Sequence, residues 1–416
     1  MKKRIIVIGG GFAGLQLIKH LKKGLFDIVL IDQLNHHQFQ PLFYQVATSQ
    51  IEPTSISFPL RKIFQKRKDV TVRLAEVISI NPESNLITTT AGDFSFDYLV
   101  IASGCKTNFF GNEEIKKHSL SLKTTYEAIN IRNVILENFE NILNSDNQPD
   151  DSLFNIIVVG GGPTGVELSG AFAEIKRDIL PKDFPGIDFS RLNIFLMEGG
   201  NHTLSTMSDM AKSTSEEYLK ELGVILKTGV FVQNYNGEML RLRNGEVFKS
   251  KNVIWAAGIT GNIIKGLSNE VITGTNRIKV DRMNKVSGYK NIYAIGDIAY
   301  METPKYPKGH PQVANVAINQ GKNLARNFKA LMCGEKPIAY EYKDLGSMAT
   351  VGRNKAIVDL PFIRFNGYFA WYIWMFLHLM LILSVRNKLI IFINWAWNYF
   401  TKNSSLRLIL KVDGKG

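Results

Sequence analysis

Two loops with the spacing Gly-x-Gly-x-x-Gly constrain this chain more than any other feature: Gly9, Gly11 and Gly14, then Gly160, Gly162 and Gly165. Each follows a short apolar, β-branched run and opens a stretch with helical apolar spacing. Arg4 to Ile8 reads as a buried strand, Gly11 to Lys22 as a helix and Asp27 to Ile31 as the next strand. Asn155 to Val159, Thr164 to Lys176 and Asn193 to Met197 repeat the pattern. In such a unit the first glycine permits a tight turn, the second lets a pyrophosphate approach the backbone, and the third lets helix pack on strand. The helix N-terminus adds free amide donors and a positive dipole end. Two units of this kind imply two nucleotide-binding domains in one α/β chain.

An acid closes each unit. Asp32 stands 18 residues beyond Gly14, where a carboxylate can accept from both hydroxyls of a ribose. Glu198 comes 33 residues after Gly165, so a helical extension or loop has to fill Asp178 to Arg191, where Pro181 and Pro185 interrupt the pattern. With no arginine in Gly199 to Thr203, Glu198 favours a free 2′-hydroxyl over a 2′-phosphate, and hence NADH over NADPH. Further strands are expected at Val70 to Arg73, Asn85 to Thr89, Tyr98 to Ile101 and Asn291 to Ile295. Helices are expected over Thr124 to Leu143 and from near Gln312, with a polar linker at Asn144 to Asp151.

Composition narrows the rest. Two cysteines, Cys105 and Cys333, lie far apart in neither a Cys-x-x-Cys nor a metal-ligand spacing, which argues against a dithiol centre and a metal site and reads both as structural thiols. The formal charge of +13 asks for an anionic partner, whether nucleic acid, phosphorylated ligands or an acidic membrane surface, and charge alone does not choose among them. The reading taken from the motifs is no nucleic acid. No cleavable leader is read in the N-terminal residues, which places the body of the protein in a reducing cytoplasm. The tail is different in kind. Gly367 to Val385 is a run of 19 residues without a formal charge, and Leu389 to Phe400 resumes the apolar character after Arg386 and Lys388. Four of the five tryptophans lie here, at 371, 374, 395 and 397, and residues 364–416 carry seven basic side chains against one acid. Aromatic, apolar and basic residues together fit a membrane surface. Five aromatics at the start of the uncharged run speak for helices lying in the interface rather than crossing it. Deletion from Arg364 onward is therefore expected to leave a soluble protein that keeps its bound nucleotide.

The short strand that stops at Gly296-Asp297 resembles the two-dinucleotide-binding-domain flavoproteins. That resemblance implies that Asp297 bonds a flavin ribityl chain, that the first loop, including Phe12 and Ala13, holds noncovalent FAD, and that the second, including Thr164, holds NADH. It also implies that strand ends at Gly104 and Gly258 are the crossovers between domains. Within the superfamily, four stretches resemble the type II NADH:quinone oxidoreductases: Gly9 to Leu15, Phe39 to Ala47, Gly160 to Glu167 and Asp344 to Gly352, together with the aromatic basic tail.

The resemblance implies two Rossmann-like domains and a C-terminal membrane-associated helical region. Its divisions are residues 1–115 and 276–335 for FAD, 116–275 for NADH and 336–416 for membrane anchoring. It implies an enzyme that oxidises NADH through FAD and reduces a membrane quinone without pumping protons. The enzyme would be a homodimer, peripheral on the cytoplasmic face of the cell membrane. A soluble NADH oxidase or reductase, or a redox-sensing flavoprotein, are the alternatives within the fold. Glu167 matches the family acid near nicotinamide and flavin. The family quinone pattern Ala-Gln-x-Ala-x-Gln reads here Ala314-Asn315-Val316-Ala317-Ile318-Asn319, flanked by Gln312 and Gln320; either the site takes quinone with altered geometry or Gln320 is a solvated helix residue. The helix beginning near Pro311-Gln312 is expected to aim its positive end at the flavin.

Overall fold

The computed structural model describes residues 2–145, 150–404 and 406–410, in two compact units that each draw on separated parts of the chain. The expected linker falls partly outside the described residues, at 146–149, as do three tail charges, Lys411, Asp413 and Lys415.

The first unit combines residues 1–38, 58–106 and 259–343. Its centre is a five-stranded parallel sheet in the spatial order Ile292–Ala294, Tyr98–Ile101, Arg4–Ile8, Asp27–Asp32, Val70–Leu74. Ile5, Ile6 and Val7 are wholly buried, as a strand covered on both faces requires. The helix Phe12–His20 packs on helix Ala314–Met332, and the crossing is close because Gly321 stands there: a Cβ on it would lie 2.4 Å from the Ala13 carbonyl oxygen. An antiparallel meander of Val77–Asn81, Leu86–Thr89 and Gly92–Ser95 completes this part.

The second unit combines residues 39–57, 107–258 and 344–416. Here the parallel sheet runs Leu120–Ser121, Asn252–Trp255, Asn155–Val159, Asn193–Met197, Ile225–Lys227. Helices Pro163–Asp178, Thr125–Leu143 and Asp209–Glu221 belong to it. The long interval before Glu198 is filled by the end of the first of these helices, a short helix Leu180–Asp183 and a turn at Phe189–Arg191. Residues 39–57 join this unit, although the sequence runs on from the first.

The C-terminal part adds an antiparallel sheet of Ser347–Thr350, Ala356–Asp359 and Arg364–Asn366, then helices Tyr368–Leu381 and Val385–Thr401. Among the described residues no helix is long and apolar enough to cross a membrane. The two helices bury little of their apolar surface. Trp374 and Trp395 face inward, while Phe369, Phe376, Leu389, Phe392, Ile393, Trp397 and Phe400 are exposed. The tail is not an appendage but is bonded into the second unit. Asn387 donates to the Thr54 and Ser55 carbonyls, Trp395 Nε1 donates to Gln45 at 2.8 Å, and Arg364–Asn366 pairs as an edge strand. Removing the tail would take the buried side chains of Ala370, Trp374, Ile382, Ile391 and Trp395 out of the second unit.

Candidate active site

Both glycine loops have the same construction. Gly9 and Gly160 sit at φ +105° and +112°, a region that L side chains rarely adopt, and a Cβ on either would run into the backbone at Ala102 or Ala256. A Cβ at Gly14 would lie 2.0 Å from the Gly9 carbonyl oxygen, and at Gly165 1.9 Å from that of Gly160. These contacts close the turn and seat helix on strand. Gly11 and Gly162 differ: nothing lies within 4 Å of a Cβ at either. The middle of each loop is therefore an open cradle.

The helices behind the loops start without side-chain caps. Phe12–His20 and Pro163–Asp178 have glycine N-caps, no side-chain cap and no acid in the first turn. Elsewhere in the second unit Asn112, Thr124 and Ser208 cap their helices with side-chain oxygens. Open cradle and uncapped helix together fit a pyrophosphate, which would accept from backbone N–H groups at the helix start. The helix Ala314–Met332 is also uncapped, with Val313 at its N-cap. It starts two residues later than the sequence suggests.

The two acids do more than their spacing predicts. Asp32 accepts from Gly10 N at 2.6 Å and Leu34 N at 2.7 Å, and Glu198 accepts from Gly161 N at 2.5 Å and Gly200 N at 2.6 Å. Each carboxylate thus pins the residue after the first glycine of its own loop, Gly10 or Gly161, with lone pairs left for a ribose. Burial pushes the Asp32 carboxyl up, against the two amide bonds that lower it. A Glu198→Arg substitution removes one pin and reverses the charge, so kcat/KM for NADPH relative to NADH should rise about tenfold or more, equivalent to ~1.4 kcal/mol. Steady-state rates with the two nucleotides measure this. An unchanged ratio means that another residue reads the ribose.

Beside the first loop, Gly296 has φ +76° and packs against Ala13, whose Cβ would be 3.0 Å from one on the glycine. Asp297 accepts from the Cys105 thiol at 3.0 Å. Cys105 is therefore not a bystander thiol: it orients the acid read as the ribityl anchor. Both cysteines are free, and Cys333 is exposed. Gln312 donates to the Asp297 carbonyl at 2.9 Å. Gln320 departs from expectation. It is fully buried and accepts from Gly296 N at 2.7 Å, so it braces the glycine instead of facing water. Asn319 donates to both oxygens of Asn315, and the Asn315 Nδ2 is buried without a partner among the described residues, a donor left for a ligand carbonyl. Gly104 and Gly258 have φ +68° and +91°, as chain reversals at strand ends require.

Glu167 stands in the second unit, 9% exposed, on the inner face of helix Pro163–Asp178. Its Oε1 accepts from Thr350 N at 3.4 Å. Tyr44 OH lies 3.0 Å from Thr350 Oγ1 and accepts from Gln45 Nε2 at 3.1 Å. Three of the stretches quoted for the family resemblance therefore converge here: Phe39 to Ala47 through Tyr44, Gly160 to Glu167, and Asp344 to Gly352 through Thr350. The same helix also lies close to the turn after Thr350, because Gly170 has no side chain: a Cβ there would be 3.0 Å from Gly352 N. Sequence reasoning missed Tyr44, Gln45, Thr350 and Trp395 as neighbours of Glu167. The signal was the quoted stretches themselves, whose meeting no spacing reveals.

Burial raises the Glu167 carboxyl to about 8, against the Thr350 amide that lowers it. The folded protein then keeps a proton that the unfolded chain releases above the ordinary glutamate range. Stability is full below the unfolded value and falls as pH rises toward about 8, by up to ~1.4 kcal/mol per pH unit. Glu167→Gln should flatten that part of the pH–stability curve and leave the protein at least as stable near pH 8. Denaturant unfolding across this range checks it, and an unaltered slope would show that Glu167 is ionised in the folded state.

Residues 3–321 match the pyridine nucleotide-disulphide oxidoreductase family, and residues 345–402 match the NDH2 C-terminal domain. The chain is 30% identical to a type II NADH:quinone oxidoreductase, Ndh, of Mycobacterium tuberculosis, over 96% of this chain and 89% of that one. It is 27% identical to the type II NADH:quinone oxidoreductase of Staphylococcus aureus, over 86% and 89%. The fold superposes on NDH2 from Plasmodium falciparum in complex with NADH with a TM-score of 0.91 at 21% identity, covering 99% of this chain and 100% of the other. With both domains matched and a 30% identical relative aligned along nearly its whole length, the chain belongs to the type II NADH:quinone oxidoreductase family.

Proposed function

We propose that this protein oxidises NADH through bound FAD and passes the electrons to a quinone at a membrane surface, without pumping protons. The observation that carries the reading is the presence in one chain of two open dinucleotide cradles and a C-terminal helix pair whose large apolar side chains point outward. When bound, FAD takes a hydride from the nicotinamide and returns the electrons to the acceptor. The chain's own residues bind and orient. The Gly9–Gly14 loop, with Phe12 and Ala13, would hold the FAD pyrophosphate, Asp32 its ribose, and Asp297, steadied by Cys105, its ribityl chain. The Gly160–Gly165 loop with Thr164 would hold NADH, and Glu198 its 2′-hydroxyl. The unpartnered amide of Asn315, with Asn319 and Gln312, supports a quinone carbonyl site on that helix. Glu167, kept protonated by burial, would hold a proton close to neutral pH.

The FAD domain is read as residues 1–115 and 276–335, the NADH domain as 116–275, and the anchor as 336–416. Peripheral binding through the exposed face of residues 364–410, on the cytoplasmic side, is supported by the basic residues among the aromatics. A homodimer is part of the proposal on the family resemblance, and sedimentation in mild detergent tests it. The function itself is tested by steady-state NADH oxidation with a short-chain quinone against oxygen. Turnover with quinone well above that with oxygen supports the reading. The reverse order makes the protein an oxidase.

A further inference from the structure

The helix Pro163–Asp178 carries a second device beyond Glu167. Glu167, Ala171, Glu174 and Asp178 follow at i, i+4, i+7 and i+11, which places them on one helix face. All four line one cavity of about 80 Å³ within the second unit, walled by aromatic rings that include Trp371 and Trp395. Ala171 leaves the space between the carboxylates open. Glu167 lies at the inner end, nine-tenths buried, with Oε2 making no hydrogen bond among the described residues. The outer end is bordered by the exposed Lys402 and Asn403. Glu174 is held in place by accepting from Arg353 N, as Glu167 accepts from Thr350 N, so the two acids grip the chain three residues apart, at a strand end and in the turn after it.

The overall reaction of the proposed function, NADH + H⁺ + quinone giving NAD⁺ + quinol, takes one proton from water. We propose that Glu174 and Asp178 form the relay that carries this proton from solvent along the helix face to Glu167. This rests on the function proposed above. Carboxylates seven residues apart stand ~10 Å apart along a helix, too far for direct transfer. The cavity is lined by carboxylate and amide groups as well as aromatic rings and has room for about five waters at ~15 Å³ each, which bridges the gap. The charges facing Glu174 are Arg353 from the turn and Arg177 and Asp178 from its own helix, and Lys402 faces Asp178 from the C-terminal side. Burial nonetheless raises the Glu174 carboxyl, while Asp178, bonded to Arg177, is held low. The ladder therefore runs from an ionised acid at the mouth to a protonated one inside, a gradient along which a proton moves inward.

Glu174→Gln keeps an oxygen for the Arg353 amide and removes only the exchangeable proton. Its kcat with a short-chain quinone should fall about tenfold or more, with a larger solvent deuterium effect and an altered pH profile. NADH oxidation by ferricyanide, which takes electrons alone, should fall far less. Glu174→Asp should recover part of the quinone rate, and Asp178→Asn, at the outer end, should weaken the same pH dependence. Wild-type quinone turnover and pH profile in Glu174→Gln would overturn the relay. So would equal loss of quinone and ferricyanide rates with loss of flavin, which marks a structural role. Absence of quinone turnover in the wild-type protein itself would overturn the function proposed above, and the relay with it.

Discussion

Gly11→Val yields a folded protein without flavin. A Cβ at Gly11 meets nothing within 4 Å, so the chain alone accommodates the substitution. The space it fills is the one a pyrophosphate would take at the uncapped start of helix Phe12–His20. FAD binding should weaken at least a hundredfold, ~2.7 kcal/mol, and NADH oxidation should vanish with it, while the unfolding transition of the apoprotein stays near that of the unsubstituted apoprotein. Gly14→Val provides the contrast. Its side chain collides with the Gly9 carbonyl oxygen 2.0 Å away, so that variant should fail to fold at all. Absorbance ratios after gentle purification and titration of the apoprotein with FAD measure the first effect. Full flavin content in Gly11→Val would place the cofactor elsewhere.

Membrane binding should collapse when the outward side chains of the tail are made polar. Phe369, Phe376, Phe392 and Trp397 are all more than half exposed, and none contributes to the buried core of the second unit. Full burial of such a side chain stabilises by ~1.5–3 kcal/mol. Even at ~1 kcal/mol each in the headgroup region, replacing all four with serine should cut partitioning into vesicles about a thousandfold. Flotation with anionic vesicles reads this out, with flavin content and ferricyanide reduction as controls for the fold. Trp374 and Trp395 are unsuitable targets, because they are buried and Trp395 bonds Gln45. Undiminished flotation of the quadruple variant would mean that this face serves something other than lipid.

The glycine loops were legible because their chemistry is local: a turn, a helix start and a strand lie within a few residues, and the strand and helix bounds agree to about two positions. The braces were not. Asp32 and Glu198 read as ribose acids, yet each also fixes a loop amide, that of Gly10 or Gly161, a contact that needs the loop and strand end folded together. Gln320 looked solvated because helical periodicity shows which face is apolar and not which polar residue meets a neighbouring backbone. Its partner, Gly296, is 24 residues earlier. The surroundings of Glu167 were hidden for the same reason, since Tyr44 and Thr350 are 306 residues apart. In the tail, composition pointed to two interfacial helices, and two helices formed. What composition could not show is that each turns one tryptophan inward as part of the core.

The account stands most directly on one measurement, the anaerobic reaction of the purified flavoprotein with its two substrates in sequence. Stoichiometric NADH should bleach the oxidised flavin band, and a short-chain quinone added next, without oxygen, should restore it within the time of a few turnovers. A flavin that NADH reduces but quinone leaves reduced, until air is admitted, would contradict the assignment.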